Sequence, residues 1–281
     1  MLKIIVDGSA DMPDGWPEKF KFDIVPIPIQ IGDKTFYQGV DITPEQFYEL
    51  VKNPENQPKT AAPSPTKIKE MIEDLCDIGD TVLSINVSGK MSATVSMVKQ
   101  AADDLKDQIK VIPFDSDAGS AVLALMAREA RLRDEAGNSV EEILEVLNRI
   151  KEKVMVVLTL DSLEFAHRSG RVGKLKAALT SFLKIKPIVT LKGGMLSVSD
   201  MVRTRSKSLA RIVEKVKQQY GEEAIKVAIV HSQDQITADI LQEMLKSMMN
   251  VTETIVTELS ISVAANLGPK TVGIVALPDD I

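Results

Sequence analysis

Two loops of this 281-residue chain carry side-chain hydroxyls in a setting suited to an anion. Thr60-Ala61-Ala62-Pro63-Ser64-Pro65 closes a Pro-rich polar stretch, residues 53–65, and leads into a helical pattern from Thr66. Ser88-Gly89-Lys90-Met91-Ser92-Ala93-Thr94 follows an aliphatic run at residues 82–87 and opens another helical pattern. Loops at the carboxyl ends of strands in an open α/β sheet lie beside helix N-termini, whose free N–H groups and dipole favour negative charge. The hydroxyls of Thr60, Ser64, Ser92 and Thr94 add donors without adding charge, which suits a carboxylate head group. An apolar channel behind them would suit an acyl tail. Helix capping also accounts for Ser88 or Ser92 taken singly, so the residues by themselves define only an anion site in an α/β protein.

The groups that catalysis needs do not assemble. There is no G-x-x-x-x-G-K-[ST], no G-x-G-x-x-G after a strand and no G-x-S-x-G elbow. His167 and His231 lack the spacing of metal ligands; His231 reads as a strand-end residue and His167 as an exposed neighbour of Arg168-Ser169-Gly170-Arg171. Asp7 and Asp11 follow the first strand and in principle hold a metal, but turn formation and capping suit Asp7 and Ser9 better. The single Cys76 has neither a disulfide partner nor metal-ligand companions, which fits a reducing cytoplasm. The expectation is a non-catalytic binding protein with no cofactor and no metal.

The elements that position these loops follow from periodicity. Aliphatic runs at residues 2–6, 24–31, 82–87, 109–114, 154–160, 186–191, 225–230, 254–259 and 272–277 read as strands, most of them covered on both faces. Between them lie amphipathic stripes: Met91, Val95, Val98, Ala102 and Leu105; Val140, Ile143, Leu144, Leu147 and Ile150; Ile236, Ile240, Leu241, Met244 and Leu245. Alternating strands and helices predict α/β architecture with a largely parallel sheet. The pattern restarts near Glu152, which gives two α/β domains, 1–152 and 153–281.

Charge and composition narrow the partners. The net charge of −6 disfavours wholesale nucleic-acid binding. No apolar run approaches the length of a membrane span, and the first residues reach a charge too soon for a signal peptide, so a cytoplasmic protein without stable membrane insertion is expected. Twelve Lys or Arg lie in residues 168–215 against only Asp200 and Glu214. That stretch is either a solvated basic face or, through Arg171, Arg203 and Arg205, a docking surface for an acidic partner. The 12 Met suit a yielding apolar pocket or ordinary core filling.

Several ordered motifs carry a resemblance. Asp7-Gly8-Ser9-Ala10-Asp11-Met12 resembles the opening D-S-x-x-D-L of the DegV family, and Thr60–Ser64 their T-S-Q-P-S loop, with Ala61 and Ala62 as departures. Ser88 through Thr94 is similar to S-S-x-L-S-G-T, departing at Gly89 and Ala93. Asp115-Ser116, Ser169-Gly170-Arg171-Val172-Gly173, Leu183-Lys184-Ile185-Lys186-Pro187-Ile188 and Arg203-Thr204-Arg205-Ser206-Lys207 also match. Asn266-Leu267-Gly268-Pro269-Lys270 is similar to H-x-G-P-G, with Asn for His. The resemblance spans nearly the whole chain. It implies two α/β domains, the N-terminal one mainly parallel with helices on both faces and the C-terminal one with a mixed sheet. It further implies a long-chain fatty acid in an apolar tunnel between them, presented to a separate fatty acid kinase. By residue matching, Thr60 and Ser92 would contact the carboxylate, with Asn266 at the family His position and Thr94 nearby. The alternatives are an acyl-phosphate or lipid-processing enzyme on the same scaffold, and a regulatory module using the basic stretch.

Overall fold

The computed structural model describes residues 2–173 and 185–281. It divides into two compact units, Met1–Lys151 with Ser260–Ser262, and Glu152–Leu259 with Val263–Ile281. The described elements of the first part of the chain are β1 (Lys3–Asp7), α1 (Trp16–Phe20), β2 (Phe22–Val25), β3 (Pro28–Ile31), β4 (Lys34–Tyr37), α2 (Pro44–Val51), β5 (Lys59–Thr60), α3 (Pro65–Leu75), β6 (Thr81–Asn86), α4 (Thr94–Leu105), β7 (Lys110–Asp115), α5 (Ala121–Glu135) and α6 (Val140–Lys153). Those that follow are β8 (Met155–Thr159), α7 (Glu164–Ser169), β9 (Val172–Gly173), β10 (Lys186–Lys192), β11 (Met195–Val202), α8 (Arg205–Tyr220), β12 (Ile225–His231), α9 (Gln235–Met248), β13 (Val251–Glu258), α10 (Ile261–Leu267) and β14 (Val272–Pro278).

The first unit is built on a four-stranded sheet in the order β2-β1-β6-β7, parallel throughout. Side chains alternate across its two faces. Ile5, Val25 and Val82 meet Ile68 and Ile72 of α3 and Val98, Ala101 and Leu105 of α4. The intervening residues Ile4, Val6, Leu83 and Ile85 are equally buried, and α5 packs on β1 and β6. Covering both faces is why these strands read as unbroken aliphatic runs. Arg131 of α5, only 1% exposed, fastens the edge. Its Nε donates to the Phe20 carbonyl at 2.9 Å, its Nη2 to the carbonyls of Leu2 at 3.0 Å and Lys21 at 2.8 Å, and its Nη1 meets Asp134 at 2.6 Å.

The run 24–31, read from sequence as one strand, is two. Val25 ends β2 in the parallel sheet, and Pro28 begins β3 in a separate antiparallel sheet ordered β4-β3-β5. Pro26 and Pro28 cannot donate to a ladder, so the chain changes sheets there.

The second unit carries a mixed seven-stranded sheet, β13-β12-β14-β8-β10-β11-β9. Leu209, Ile212, Val213 and Val216 of α8 and Leu241 and Leu245 of α9 pack on Val157, Ile188, Ile229 and Ile274. Gly273 of β14 lies between β12 and β8, where a Cβ would fall 2.4 Å from a Leu158 methyl and force that buried side chain to shift. The α9 stripe differs from the expectation. Ala238, Leu241 and Leu245 face the core, whereas Ile236 and Ile240 are 77% and 50% exposed. Ile236 lies two residues, about 200° of helix, from Ala238, so it falls on the far side.

Candidate functional site

Of the loops singled out above, the one after β6 lies at the carboxyl edge of the parallel sheet, whereas Thr60 lies on β5 of the antiparallel sheet. The loop after β6 is held from three sides. Asp7 Oδ2 accepts the Val87 N–H at 2.6 Å, the Ala118 carbonyl accepts Ser88 N–H at 2.8 Å, and Asp115 Oδ2 accepts Gly89 N–H at 3.2 Å. A Cβ at residue 89 would stand 3.0 Å from that Asp115 oxygen. The loop turns through bonds from Met91 and Ser92 N–H to the Ser88 carbonyl and delivers Ser92 to the start of α4. Ser92 Oγ and Thr94 Oγ1 stand 2.8 Å apart, and Ser92 Oγ also accepts Thr94 N–H at 3.3 Å. Ala93, at the cap position, has no hydroxyl to offer, so Ser92 takes that duty while remaining half-buried.

Thr60 is half-buried on β5, opposite Ile29 of β3, and Ala61 N–H continues the pairing to the Pro28 carbonyl. Ser64 is exposed and caps α3, accepting Lys67 N–H at 3.3 Å. Asn266 lies in the last turn of α10; its carbonyl accepts the Ser169 hydroxyl at 3.3 Å. Gly268, at φ 86°, makes the turn that ends this helix.

Charge in residues 168–215 is partly matched by acids. Arg168 pairs with Glu164, Lys186 with Asp161, Arg205 with Asp234 at 2.8 Å, and Arg211 with Asp200 at 3.2 Å. Arg171 Nη1 donates to the Ser169 carbonyl at 2.5 Å, and Arg203 is exposed. Lys174, Lys176, Leu183 and Lys184 lie outside the described residues.

Asp7, Ser9 and Asp11, beside the first strand, join Ser120 and Ser260, two partners that the sequence reading missed. Asp7 Oδ1 accepts both the backbone N–H and the hydroxyl of Ser9. Asp11 Oδ2 accepts the Ser120 hydroxyl, and Asp11 Oδ1 accepts Ser260 N–H at 2.6 Å. Burial raises the Asp7 carboxyl, opposed by its bonds from Ser9 and Val87. Burial, opposed by the bonds from Ser120 and Ser260 and aided by Asp7, pushes Asp11 from its ordinary 3.8 up to about 7. The folded protein thus holds this proton more tightly than the unfolded chain does. The resulting stability is fully present below about 3.8 and is lost as pH rises through about 7. Between pH 5 and pH 8 the wild type is expected to lose roughly 2–3 kcal/mol relative to Asp11→Asn, measured by denaturant titration at each pH. Parallel pH profiles for the two proteins would contradict the raised carboxyl.

No group of three or more His, Cys, Asp or Glu among the described residues is placed to hold a metal ion, and no described helix is long and apolar enough to cross a membrane.

Fold and site together define a two-unit α/β protein with a hydroxyl-bearing loop at the carboxyl edge of a parallel sheet. The chain belongs to the DegV family: the family model "Uncharacterised protein, DegV family" matches residues 1–279. A DegV domain-containing protein of Caldanaerobacter subterraneus is 29% identical over 277 residues, 97% of each chain. A solved structure of a DegV family protein from Thermus thermophilus, described for its fatty acid binding, matches with a TM-score of 0.89 at 28% identity over 99% of both chains. DegV of Bacillus subtilis, described as a fatty acid binding protein, matches with a TM-score of 0.85 at 25% identity over 99% of both.

Proposed function

We propose that this chain binds a long-chain fatty acid whose carboxylate is held by Thr60 and Ser92, with Thr94 and Ser64 nearby and Asn266 at the family His position. The observation that carries this reading is the hydroxyl pair Ser92–Thr94, 2.8 Å apart at the N-terminus of α4 on the carboxyl edge of an all-parallel sheet. With Thr94 donating to Ser92 Oγ, the Ser92 O–H at a helix N-terminus is left to donate to a carboxylate without burying a countercharge. The fatty acid binding described for the Thermus thermophilus and Bacillus subtilis relatives supports it. In this reading the protein is a non-catalytic carrier. Its exposed Arg203, with Arg171 and Arg205, meets an acidic partner such as a separate fatty acid kinase that receives the carboxylate.

The test is a calorimetric titration with a long-chain fatty acid. Loss of a hydrogen bond to a charged group costs about 1.5–3 kcal/mol, so Ser92→Ala is expected to weaken binding roughly 10- to 150-fold. Thr60→Ala should add to that loss. Wild-type affinity in the double variant would remove the head-group assignment.

A further inference from the structure

We propose that Asp7 and Asp115 are positioning residues for the Ser92 hydroxyl: their carboxyl oxygens fix the peptide planes from which the loop carrying Ser92 hangs. This rests on the fatty-acid reading above. β6 lies between β1 and β7, and each of these neighbours ends in one of the two acids. As the chain leaves β6, three successive N–H groups are bonded. Val87 N–H donates to Asp7 Oδ2 at 2.6 Å, Ser88 N–H to the Ala118 carbonyl at 2.8 Å, and Gly89 N–H to Asp115 Oδ2 at 3.2 Å. The peptide plane that contains Gly89 N–H also contains the Ser88 carbonyl. That carbonyl accepts the N–H groups of Met91 at 2.9 Å and Ser92 at 3.0 Å. The backbone of Ser92 is thus tied to planes that Asp7 and Asp115 hold, and both acids lie outside the loop they hold.

Each acid is held in turn by its second oxygen. Asp7 Oδ1 accepts the N–H and the hydroxyl of Ser9, and Asp115 Oδ1 accepts Asp117 N–H at 2.9 Å. The loop has little to hold itself with. Gly89, Lys90 and Ala93 are exposed, and Ala93, at the cap position of α4, offers no hydroxyl. Ordering such backbone costs entropy at every residue, and the two acids offset that cost from the neighbouring strands. Thr60 stands on a different sheet, so the place of this loop sets the separation between the two hydroxyls proposed to share the carboxylate.

The experiment measures hydrogen exchange of residues 87–92 in the wild type, Asp7→Ala and Asp115→Ala, and the oleate affinity of each with Ser92 present and with Ser92→Ala added. Exchange in that segment should rise by about tenfold in either variant, because local opening becomes easier. Oleate binding should weaken by about tenfold, the effect of one lost hydrogen bond to a charged group, and by no more than about twofold further once Ser92 is already replaced. Non-additivity of this kind marks residues that act through one group, whereas a general loosening of the fold lowers affinity equally in both backgrounds. Should Asp7→Ala not fold, Asp115→Ala carries the test, because Asp115 is only half-buried. Unchanged exchange, unchanged oleate affinity, or equal losses in the two backgrounds would each overturn the positioning role. A wild type that binds no oleate, or a Ser92→Ala that binds it as tightly as the wild type, would sink the head-group reading itself, an outcome separate from those three.

Discussion

Arg131→Met is expected to cost about 3–5 kcal/mol of folding stability, the usual penalty for removing one partner of a buried ion pair. The methionine fills the volume of the arginine stem but donates nothing. The carbonyls of Leu2, Phe20 and Lys21 lose their donor, and Asp134 loses its countercharge. Those carbonyls lie at the start of β1 and at the turn between α1 and β2, where Lys21 adopts φ 49°. The arginine therefore holds the β2–β1 edge of the sheet against α5. Chemical denaturation measures the loss, and a change under about 1 kcal/mol would show that water replaces the guanidinium. Asp134→Asn, which keeps one acceptor oxygen for Arg131 or Leu2 N–H and leaves the carbonyls of Leu2, Phe20 and Lys21 their donor, should cost less.

Phe47→Ala is the second large effect, again about 3–5 kcal/mol, from lost transfer energy and the cavity left behind. Phe47 is 1% exposed and packs edge-on to Tyr48, with ring centroids 5.1 Å apart. α2 has a complete capping box, Thr43 with Gln46, but eight residues do not make a stable helix in water without tertiary contacts. Its packing thus depends on Phe47 and Tyr48. Loosened, it should also free the residues that lead to Thr60, since Asn56 Nδ2 donates to the Leu50 carbonyl at 3.0 Å. Ile236→Ala is the matched control: an exposed isoleucine on α9 should change stability by no more than about 0.5 kcal/mol. Equal losses in the two variants would show that burial is misassigned in one of them.

The contrast between these two residues also shows what the sequence could convey. Long aliphatic runs such as residues 82–87 and 225–230 became central strands because burial on both faces leaves a signal in every residue. β11 was missed because its alternate residues are polar, Ser197 and Ser199 among them. Its hairpin was nonetheless written in Gly193-Gly194, both at positive φ, which joins Lys192 to Met195 in two residues. On α9, apolar spacing alone did not distinguish the covered face from the solvent face, because Ile236 and Ile240 are as hydrophobic as Leu241. The closeness of Ser92 and Thr94 was legible since their spacing falls within one loop. The acceptors of Ser260 and Ile261 were not, because Asp11 and Gln38 lie more than two hundred residues away and nothing local marks the pairing. The motif containing Asp11 showed a carboxylate after a strand; only the fold showed which N–H it accepts.

The central claim is tested most directly by mass spectrometry of organic extracts from the purified protein, with calorimetric titration of the delipidated chain. The account predicts a co-purified fatty acid with a long acyl chain, at about one per protein, and rebinding of that acid after delipidation. An extract free of fatty acid, together with no heat of binding for any added long-chain acid, would contradict it.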